Sequence, residues 1–553
     1  MNYSTMATST APPAAPAAPE KLDVKTLVEP MAKLHESGEN QSYEWRMQQL
    51  LRMREFLSAN REAMKRALYE DMRRCDVEAC NGDLNNIDQQ LSLFIRNLRK
   101  WMKPKQMPSP LAMIPGFSRI EYRPLQGPAV FIIAASNFPI FLCFQPAIGA
   151  LAAGNPVVIK TSELCPACSE LLEREMPKFF PPEVARIVAG GVPETTALLQ
   201  QPWGKIVFTG SERVGRIVAQ AAAKTLTPVI LELGGKCPAY VSEDVPSNMI
   251  RNVADRLVFS KIINGGQVCV APDTVIVHQK HAKALSQELV HSLERQLGKD
   301  PSTSDLTRMI IAPHAQRLID CLNELEDLQK KKNHPTTEIL FGGSKTCNVK
   351  EKYVCPTLVL NPPSEWRLMK EEIFGPIMPI VTVASRDDAI DYIRNTMPGT
   401  PLALYVFTSK ESVFEEMTKK CPSATAFRND SLVHLANQNT PMCGLGSSGY
   451  GRYLGHASFQ SFSHEKPTFY RPLGRWADLN NIRYRPYRRF KQALLPRITL
   501  LPDIPVIPWT ALGCIVLTVS VVSSSSEIAQ YARHGIADNL EAAASQIVQY
   551  LRS

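Results

Sequence analysis

The segment KIVFTGSERVGRIVAQAAAKTLTPVILELGG, residues 205–235, contains a complete strand–helix–strand unit. KIVFTG at its start and PVILELGG at its end are apolar runs that predict buried strands, and residues 212–224 between them have helical spacing. The same alternation occurs upstream, where PAVFIIAA (128–135) and PVVIK (156–160) flank a helical stretch. Units of this kind predict a parallel sheet that is covered by helices on both faces.

These units predict an α/β fold with a doubly wound, Rossmann-like nucleotide-binding domain. We assign residues 130–233 to that domain, together with a helical N-terminal part over 23–105, and a second α/β domain to 234–419. A length of 553 residues is enough for two or three domains. Residues 1–22 are rich in Ala and Pro and almost free of charge, which predicts a disordered extension without the arginines of a transit peptide.

One cysteine stands out in INGGQVCVAPD, residues 263–273. Helical spacing ends at the glycine pair before Cys269, and TVIVH (274–278) after it predicts a strand. Cys269 is therefore predicted on a helix-to-strand connection, where catalytic groups often collect. A free cysteine is also a common packing residue, so the segment alone leaves a buried thiol and an exposed, reactive thiol both open.

The other cysteines suggest no metal or disulfide framework. The chain has 13 cysteines without regular spacing, and no secretory signal is visible, so we expect reduced thiols in a compartment that faces the cytosol. CPAC (165–168) has the spacing of a redox pair or of half a zinc site, but no second pair follows at a suitable distance. We therefore expect no bound metal.

Polar residues interrupt or end several apolar strands. Glu232 in LELGGK is a carboxylate inside an apolar run, which is costly unless it is paired, solvated or used. Asn137 in ASNFP could cap a turn or donate a hydrogen bond to an oxyanion. Lys160 and Glu163 in VVIKTSE could bind ribose hydroxyls, or they could form an ordinary solvated pair in a loop. Each of them, taken singly, is compatible with a structural role.

The segment FTGSERVG, residues 208–215, follows a predicted strand and opens a predicted helix. Gly210 and Gly215 have the spacing G-x-x-x-x-G, which differs from the usual dinucleotide fingerprint G-x-G-x-x-G. Ser211 and the first amides of the helix could face a phosphate. A plain strand-to-helix turn explains the segment equally well.

In order along the chain, ASNFP, GNPVVIK, FTGS, LELGGK, NGGQVC and EEIFGP resemble the aldehyde dehydrogenases. TPVILELGGK, VCVAPD, EEIFGPIMPI and PLALYVF are most similar to the class 3 branch, which includes fatty aldehyde dehydrogenases. The resemblance covers about residues 21–468 and implies an NAD(P)-dependent enzyme that oxidises medium- or long-chain aliphatic aldehydes to carboxylic acids. It also implies a catalytic domain over 234–419 and a homodimer, with 106–129 and 420–468 as bridging segments.

The resemblance implies a role for each residue singled out above. Cys269 would be the nucleophile, the Asn137 amide and the Cys269 N–H would hold the oxyanion, and Glu232 would be the general base. Glu372 and Phe374 in EEIFGP would hold the nicotinamide ribose and ring. Adenosine and phosphate contacts would come from Lys160, Glu163, Gly210, Ser211 and Gly215. NAD is the expected cofactor because a carboxylate at Glu163 repels a ribose 2′-phosphate, although class 3 enzymes often tolerate NADP.

Three positions depart from the family's pattern and concern substrate preference. Ser136 stands where a bulky aromatic is usual, Thr161 stands where a proline is usual, and PMCG (441–444) replaces P-F-G-G. Two other functions stay open, namely a non-redox scaffold on an inactivated dehydrogenase fold and a thiol esterase that uses Cys269 without a cofactor. The presence of Cys269, Asn137 and Glu232 argues against the scaffold.

The C-terminal region divides into a basic linker (471–503), a hydrophobic membrane-anchor candidate (504–522) and an amphipathic tail (523–553). From Arg471 to Arg497 the linker has eight Lys and Arg residues against one Asp, which is +7 of the net charge of +9. Because this charge is confined to one segment and is not spread over a folded face, we expect no nucleic-acid partner.

Residues 504–522 contain 19 uncharged residues, close to the ~20 that span a bilayer as a helix. With the basic linker on the inner side, an anchor here would attach the catalytic domain to a membrane so that it faces the cytosol. The endoplasmic reticulum, the peroxisome and the mitochondrial outer membrane are not distinguishable. Alternatively, because Pro505 and Pro508 shorten the uninterrupted helix to about 14 residues, the segment could be buried over the opening of the substrate site.

Overall fold

The structure, a computed structural model, describes residues 22–110, 113, 116–330, 336–473 and 483–498. The predicted extension before Leu22, residues 474–482 and 499–503 of the basic linker, the hydrophobic segment 504–522 and the tail 523–553 lie outside the described residues. Among the helices of the described part, none combines the length and the apolar character that a membrane crossing requires.

The helices of the described residues are, in chain order, α1 (Val24–Ser37), α2 (Tyr43–Met72), α3 (Asp76–Glu78), α4 (Asn85–Trp101), α5 (Phe141–Ala152), α6 (Pro166–Glu175), α7 (Val192–Leu199), α8 (Glu212–Ala223), α9 (Ile250–Ile262), α10 (Gln279–Leu297), α11 (Ala312–Lys330), α12 (Arg367–Lys370), α13 (Arg386–Asp391), α14 (Glu411–Lys420), α15 (Gly455–Ser461) and α16 (Arg489–Ile498). The strands are β1 (Lys105–Met107), β2 (Phe117–Pro124), β3 (Val130–Ile133), β4 (Val157–Lys160), β5 (Ala185–Val188), β6 (Lys205–Gly210), β7 (Val229–Leu233), β8 (Pro238–Val241), β9 (Thr274–His278), β10 (Glu338–Phe341), β11 (Thr357–Leu360), β12 (Ile377–Val383), β13 (Ala403–Phe407), β14 (Thr425–Arg428), β15 (Met442–Cys443), β16 (Gly449–Tyr450), β17 (Arg452–Tyr453) and β18 (Ser463–Tyr470).

A six-stranded sheet with the order β16-β7-β6-β3-β4-β5 contains both predicted strand–helix–strand units. β3 to β7 run parallel to their neighbours, and β16 adds an antiparallel edge strand. Every residue of β3 and β4 is buried, as expected for strands with helices on both faces. The unit predicted over 205–235 is present as β6, α8 and β7, and the predicted α/β fold class is confirmed.

A second sheet has seven strands in the order β10-β11-β12-β9-β8-β13-β14, and β10 is its one antiparallel strand. The chain passes from β7 of the first sheet to β8 of the second through residues 234–237. Glu232 therefore lies next to the crossing, near the carboxyl end of a parallel strand, where open α/β sheets bind ligands. The strand predicted over 274–278 is confirmed as β9, and the helical spacing before the glycine pair belongs to α9.

The third sheet consists of β1, β2 and β18, and all eight residues of β18 pair with β2. The strands of the predicted bridging segment 420–468 join three different sheets, through β14, β16 and β18. β14 and β16 each occupy an edge of a parallel sheet, where they satisfy backbone groups that would otherwise be unpaired. β18 pairs with β2 of the other predicted segment, 106–129, and the bridging role of both segments stays a prediction.

The N-terminal helices cover one face of the six-stranded sheet. Phe56 of α2 packs against Phe144 of α5 and against Phe179, with ring centroids 5.3 Å and 5.5 Å apart. On the same side, the Gln90 side chain of α4 donates a hydrogen bond of 3.0 Å to the backbone of Gln145 in α5. This packing brings the residues between α2 and α4 close to the connection that follows β3.

Candidate active site

A cavity of about 920 Å³ brings together nine of the ten residues predicted to form the site. The nine residues that line it are Asn137, Lys160, Glu163, Gly210, Ser211, Glu232, Cys269, Glu372 and Phe374. The tenth residue, Gly215, is buried inside α8 and does not line the cavity. A Cβ atom at Gly215 would lie 2.7 Å from Leu233, so this glycine lets α8 pack closely on β7.

The loop that carries Cys269 is shaped by a left-handed turn. Asn264, Gly265 and Gly266 have φ values of 54°, 60° and 75°. A Cβ at Gly266 would lie 2.3 Å from the carbonyl oxygen of Gly375, so only glycine lets this loop approach the Glu372 loop so closely. Val268 and Val270 are buried, whereas Cys269 is partly exposed and lines the cavity. Cys269 therefore packs partly against the core and also reaches the cavity.

The Cys269 thiol is held protonated near neutral pH. Burial, and after it the nearby charges of Glu372 and Glu232, raise the pKa of Cys269 to about 12. The backbone N–H groups of Cys269 and Val270 act in the opposite direction, because they donate hydrogen bonds to the sulfur. Attack by this thiol therefore needs a group that accepts its proton.

Asn137 follows β3, and its side chain is fixed at the cavity wall. The Asn137 side-chain amide donates a hydrogen bond of 3.0 Å to the carbonyl of Gln267, two residues before the candidate nucleophile. An amide NH2 group carries two hydrogens, so one remains for a group inside the cavity. The geometry fits a donor to an oxyanion that forms on a substrate bound to Cys269.

A buried ion pair between Arg74 and Asp83 supports the backbone of Asn137, and sequence reasoning missed this pair. The Arg74 guanidinium pairs with Asp83 and donates to the Asn137 carbonyl and the Asn264 side chain. Asp83 also accepts from the backbone N–H groups of Ile140 and Phe141, at 3.2 Å and 2.7 Å. Nothing in the sequence marked this pair, because opposite charges nine residues apart in a helical stretch are usually solvated.

Glu232 is a buried carboxylate in the cavity wall. Its exposed fraction is 2%, and neither side-chain oxygen has a hydrogen-bond partner among the described residues. Burial raises the pKa of Glu232 to about 8. A carboxylate that exchanges its proton near physiological pH is well suited to general-base catalysis.

Glu372 and Phe374 lie on a loop packed against the β7–β8 crossing. A Cβ at Gly234 would lie 2.1 Å from the Glu372 carboxylate, so the glycine leaves room for that side chain. Burial, followed by the charge of Asp273, raises the pKa of Glu372 to about 8. Phe374 has a φ of 48°, an unusual left-handed conformation for an aromatic residue, and it points part of its side chain into the cavity.

A second buried ion pair, Lys236–Asp273, anchors this loop. The Lys236 ammonium also donates to the carbonyls of Leu368 (2.7 Å) and Glu371 (3.1 Å), and Asp273 accepts from the N–H of Ile373 at 2.9 Å. Sequence reasoning did not single out either partner. Both stand in quoted motifs, Lys236 in LELGGK and Asp273 in VCVAPD, so a signal was present.

Lys160, Glu163 and Ser211 line a part of the cavity that fits the adenosine part of a dinucleotide, which we call the adenosine end. Lys160 ends β4 and forms an ion pair of 2.5 Å with the exposed Glu163, while Ser211 caps α8 by accepting from the Val214 N–H at 3.4 Å. Apolar side chains supply the sides of a slot for a base: Val192, Val214 and Ile217. A cation, a helix N-terminus and an apolar slot together suit a nucleotide.

The residues that depart from the family's pattern differ in burial and in whether they line the cavity. Ser136 lines the cavity, and its carbonyl accepts from the Cys165 thiol at 3.2 Å. Thr161 is buried, Met442 lines the cavity, and Cys443 is half-buried beside the charge of Glu232. Among the described residues every cysteine is a free thiol, and no cluster of three or more His, Cys, Asp or Glu side chains could hold a metal ion.

Two parallel α/β sheets that share a cavity with a thiol, an amide donor and two carboxylates define an enzyme of the nucleotide-dependent dehydrogenase class. The aldehyde dehydrogenase family model matches residues 7–468. The chain therefore belongs to the aldehyde dehydrogenase family and is an NAD(P)-dependent aldehyde dehydrogenase.

Relatives place the chain in class 3 of the family. Aldehyde dehydrogenase family 3 member I1, chloroplastic, of Arabidopsis thaliana is 37% identical over 85% of this chain and 82% of that protein. Aldehyde dehydrogenase family 3 member B1 of Mus musculus is 35% identical over 81% of this chain and 92% of that protein. The 4,4′-diaponeurosporen-aldehyde dehydrogenase of Staphylococcus aureus is 36% identical over 76% of this chain and 88% of that protein.

Solved structures agree with the fold. The substrate-bound state of Staphylococcus aureus AldH superposes with a TM-score of 0.79 at 32% identity, over 86% of this chain and 99% of that chain. Succinic semialdehyde dehydrogenase of Streptococcus pyogenes, crystallised with NADP+, has a TM-score of 0.70 at 20% identity over 82% and 96% of the two chains. The second likeness supports the fold alone.

Replacing one partner of the Lys236–Asp273 pair tests its anchoring role. Asp273→Asn leaves the buried Lys236 charge unpaired, so we expect the free energy of unfolding to fall by about 3 kcal/mol or more. The double variant Lys236→Met/Asp273→Asn removes both charges and should recover part of that loss. Thermal unfolding of the two variants measures the difference, and an Asp273→Asn variant as stable as the parent would contradict the role.

The raised pKa of Glu232 predicts a pH-dependent stability. The folded chain keeps the Glu232 proton up to about pH 8, whereas an unfolded glutamate loses it near 4.5. Between these pH values the folded state binds the extra proton, so stability falls as pH rises. The glutamine side chain in Glu232→Gln does not titrate. We therefore expect the melting temperature of this variant minus that of the parent to increase from pH 5 to pH 8.5. The exposed Glu465→Gln should show no such trend, and a flat difference for Glu232→Gln would disprove the prediction.

Proposed function

We propose that the protein oxidises medium- or long-chain aliphatic aldehydes to carboxylic acids through a thioester on Cys269. NAD is the preferred cofactor, and NADP is tolerated. The observation that carries this proposal is that Cys269, Asn137 and Glu232 line one cavity together with the candidate cofactor contacts.

Cys269 attacks the aldehyde carbon, and a water molecule accepts the thiol proton as the S–C bond forms. The second hydrogen of the Asn137 amide and the Cys269 N–H stabilise the resulting alkoxide. A bound nicotinamide would supply the hydride acceptor for this step, and Cys269 then carries the acyl group as a thioester. Glu232 then takes a proton from the water that hydrolyses the thioester, and the acid product leaves.

Apolar walls support an aliphatic substrate. The cavity is lined mainly by apolar side chains, including Phe138, Phe141, Leu142, Leu432, Leu435, Met442 and Leu454. An aliphatic chain that enters this space is removed from water, which contributes about 0.8 kcal/mol for each buried CH2 group. Long aldehydes should therefore bind more tightly than short ones.

Charge at the adenosine end supports the preference for NAD. Glu163 is exposed beside Lys160, and its carboxylate would lie near a ribose that carries a 2′-phosphate. Like charges repel, which disfavours NADP. The Lys160 ammonium offsets part of this repulsion, so the preference should be one of degree.

Two further proposals concern assembly. We infer that the enzyme is a homodimer, since class 3 relatives dimerise, and that residues 504–522 attach it to a membrane with the catalytic domain facing the cytosol. The support for attachment is the uncharged run of 19 residues behind a basic linker.

Both assembly proposals are checked on the full-length chain and on a chain that ends at residue 503. The full-length chain should sediment with membranes and the shorter one should stay in the supernatant, because the apolar run is then missing. Equal partition of the two chains would contradict attachment. Light scattering during size exclusion of the shorter chain should give twice the monomer mass. A monomer mass alone would contradict the proposed homodimer.

Kinetics with a long-chain aldehyde and NAD test the chemical proposal. Cys269→Ser should abolish NADH formation, because a serine hydroxyl is a much weaker nucleophile than a thiolate. The Glu232→Gln variant should still release, in its first turnover, an amount of NADH close to the enzyme concentration. Its steady-state rate should then be about 100-fold lower than that of the parent, or lower still. Stopped-flow absorbance of NADH distinguishes the two phases.

Cys443→Ser is the matched control, because Cys443 is half-buried near Glu232 but does not line the cavity. It should keep most of the activity. Ester hydrolysis without any NADH formation from aldehydes would favour a thiol esterase, and the absence of both activities would favour a scaffold.

A further inference from the structure

We propose that Arg213 binds a phosphate group of the dinucleotide cofactor. Arg213 stands in the first turn of α8, two residues after the capping Ser211, and its side chain lines the cavity at the adenosine end. Sequence reasoning passed over this residue, since an arginine on the exposed face of a helix is most simply a solvated charge. Its position at the cavity wall is visible only in the fold.

The other lysine and arginine side chains that line the cavity already have acidic partners. Lys160 pairs with Glu163 at 2.5 Å, and Arg317 pairs with Glu371 at 2.9 Å and donates to the carbonyl of Ile373. Within the described part of the chain, no carboxylate or carbonyl accepts a hydrogen bond from the Arg213 guanidinium. Of these cavity cations, Arg213 is therefore the one available to an incoming anion.

The residues around Arg213 favour a negative charge at this point. Glu212, its neighbour in sequence, is engaged by Arg216 at 2.5 Å along the helix. The start of α8 carries the positive end of the helix dipole, and the backbone N–H groups of a first turn face outward. A guanidinium beside such a terminus is suited to phosphate, because its N–H donors match two phosphate oxygens at once.

The cofactor can supply this anion in two ways. The pyrophosphate is common to NAD and NADP, whereas the ribose 2′-phosphate is present in NADP alone. Both are phosphate groups delivered to the same end of the cavity. The inference rests on the proposed assignment of that end to adenosine, and it does not depend on the chemistry proposed for Cys269.

The test is equilibrium binding of NADH and of NADPH to the full-length protein without aldehyde, followed by cofactor fluorescence. Arg213→Gln keeps the polar side chain but removes the charge. We expect the Kd of at least one cofactor to rise roughly 5- to 30-fold, in the range of a charge-assisted hydrogen bond that is partly exposed. Lys224→Gln is the matched control, because it removes one positive charge at the far end of the same helix and Lys224 does not line the cavity.

Weaker binding of both cofactors assigns the pyrophosphate, and weaker binding of NADPH alone assigns the 2′-phosphate; either result supports the inference. Unchanged Kd values for both cofactors overturn it, and so does an equal loss in Lys224→Gln, which would indicate a long-range charge effect. Matching melting temperatures show that both variants are folded. Since no aldehyde is present, failure of the proposed substrate or of the thioester chemistry leaves the result unaffected.

Discussion

The buried ion pair between Lys236 and Asp273 joins the three segments from which the active site is built. Lys236 belongs to the crossing from β7 to β8, three residues past the end of the strand that carries Glu232. Asp273 ends the loop of Cys269, and both partners hold the backbone of the Glu372 loop. A buried charge without its partner is very unfavourable, so the two loops and the crossing are tied into one arrangement.

The same exclusion of water that makes this pair necessary also tunes the reactive groups. Glu232 has no hydrogen-bond partner among the described residues, and burial raises its pKa to about 8. Burial raises the pKa values of Cys269 and Glu372 as well, and the charge of Glu372 adds to the shift of Cys269. A structure that only needed stability would not keep three such groups together, and clusters of perturbed acids of this kind are typical of functional sites.

Much of the fold followed from periodicity and much of the site from motif order. β6, α8 and β7 were predicted nearly to the residue, because apolar runs and a helical stretch between them depend on local chain geometry. Lys160, Glu163, Gly210 and Ser211 were assigned to the cofactor through the family resemblance, since the residue pattern alone left structural roles open. The sheets that the short strands of 420–468 join were not predicted, because the edge that a short strand joins depends on distant parts of the chain. Gly215 lies outside the cavity for a related reason: its contact with Leu233 is made across two elements.

The sequence by itself determined which groups are present and in what order, and for this chain that order was enough to identify a class 3 aldehyde dehydrogenase. Only the tertiary structure decided which groups act together. In the fold, Arg74 pairs with Asp83 next to Asn137, and Lys236 pairs with Asp273. Arg213 lies at the cavity wall without an acidic partner among the described residues. The physical reason is that a side chain's pKa and its choice of partner depend on burial and on neighbours that are distant in sequence, and local patterns contain neither.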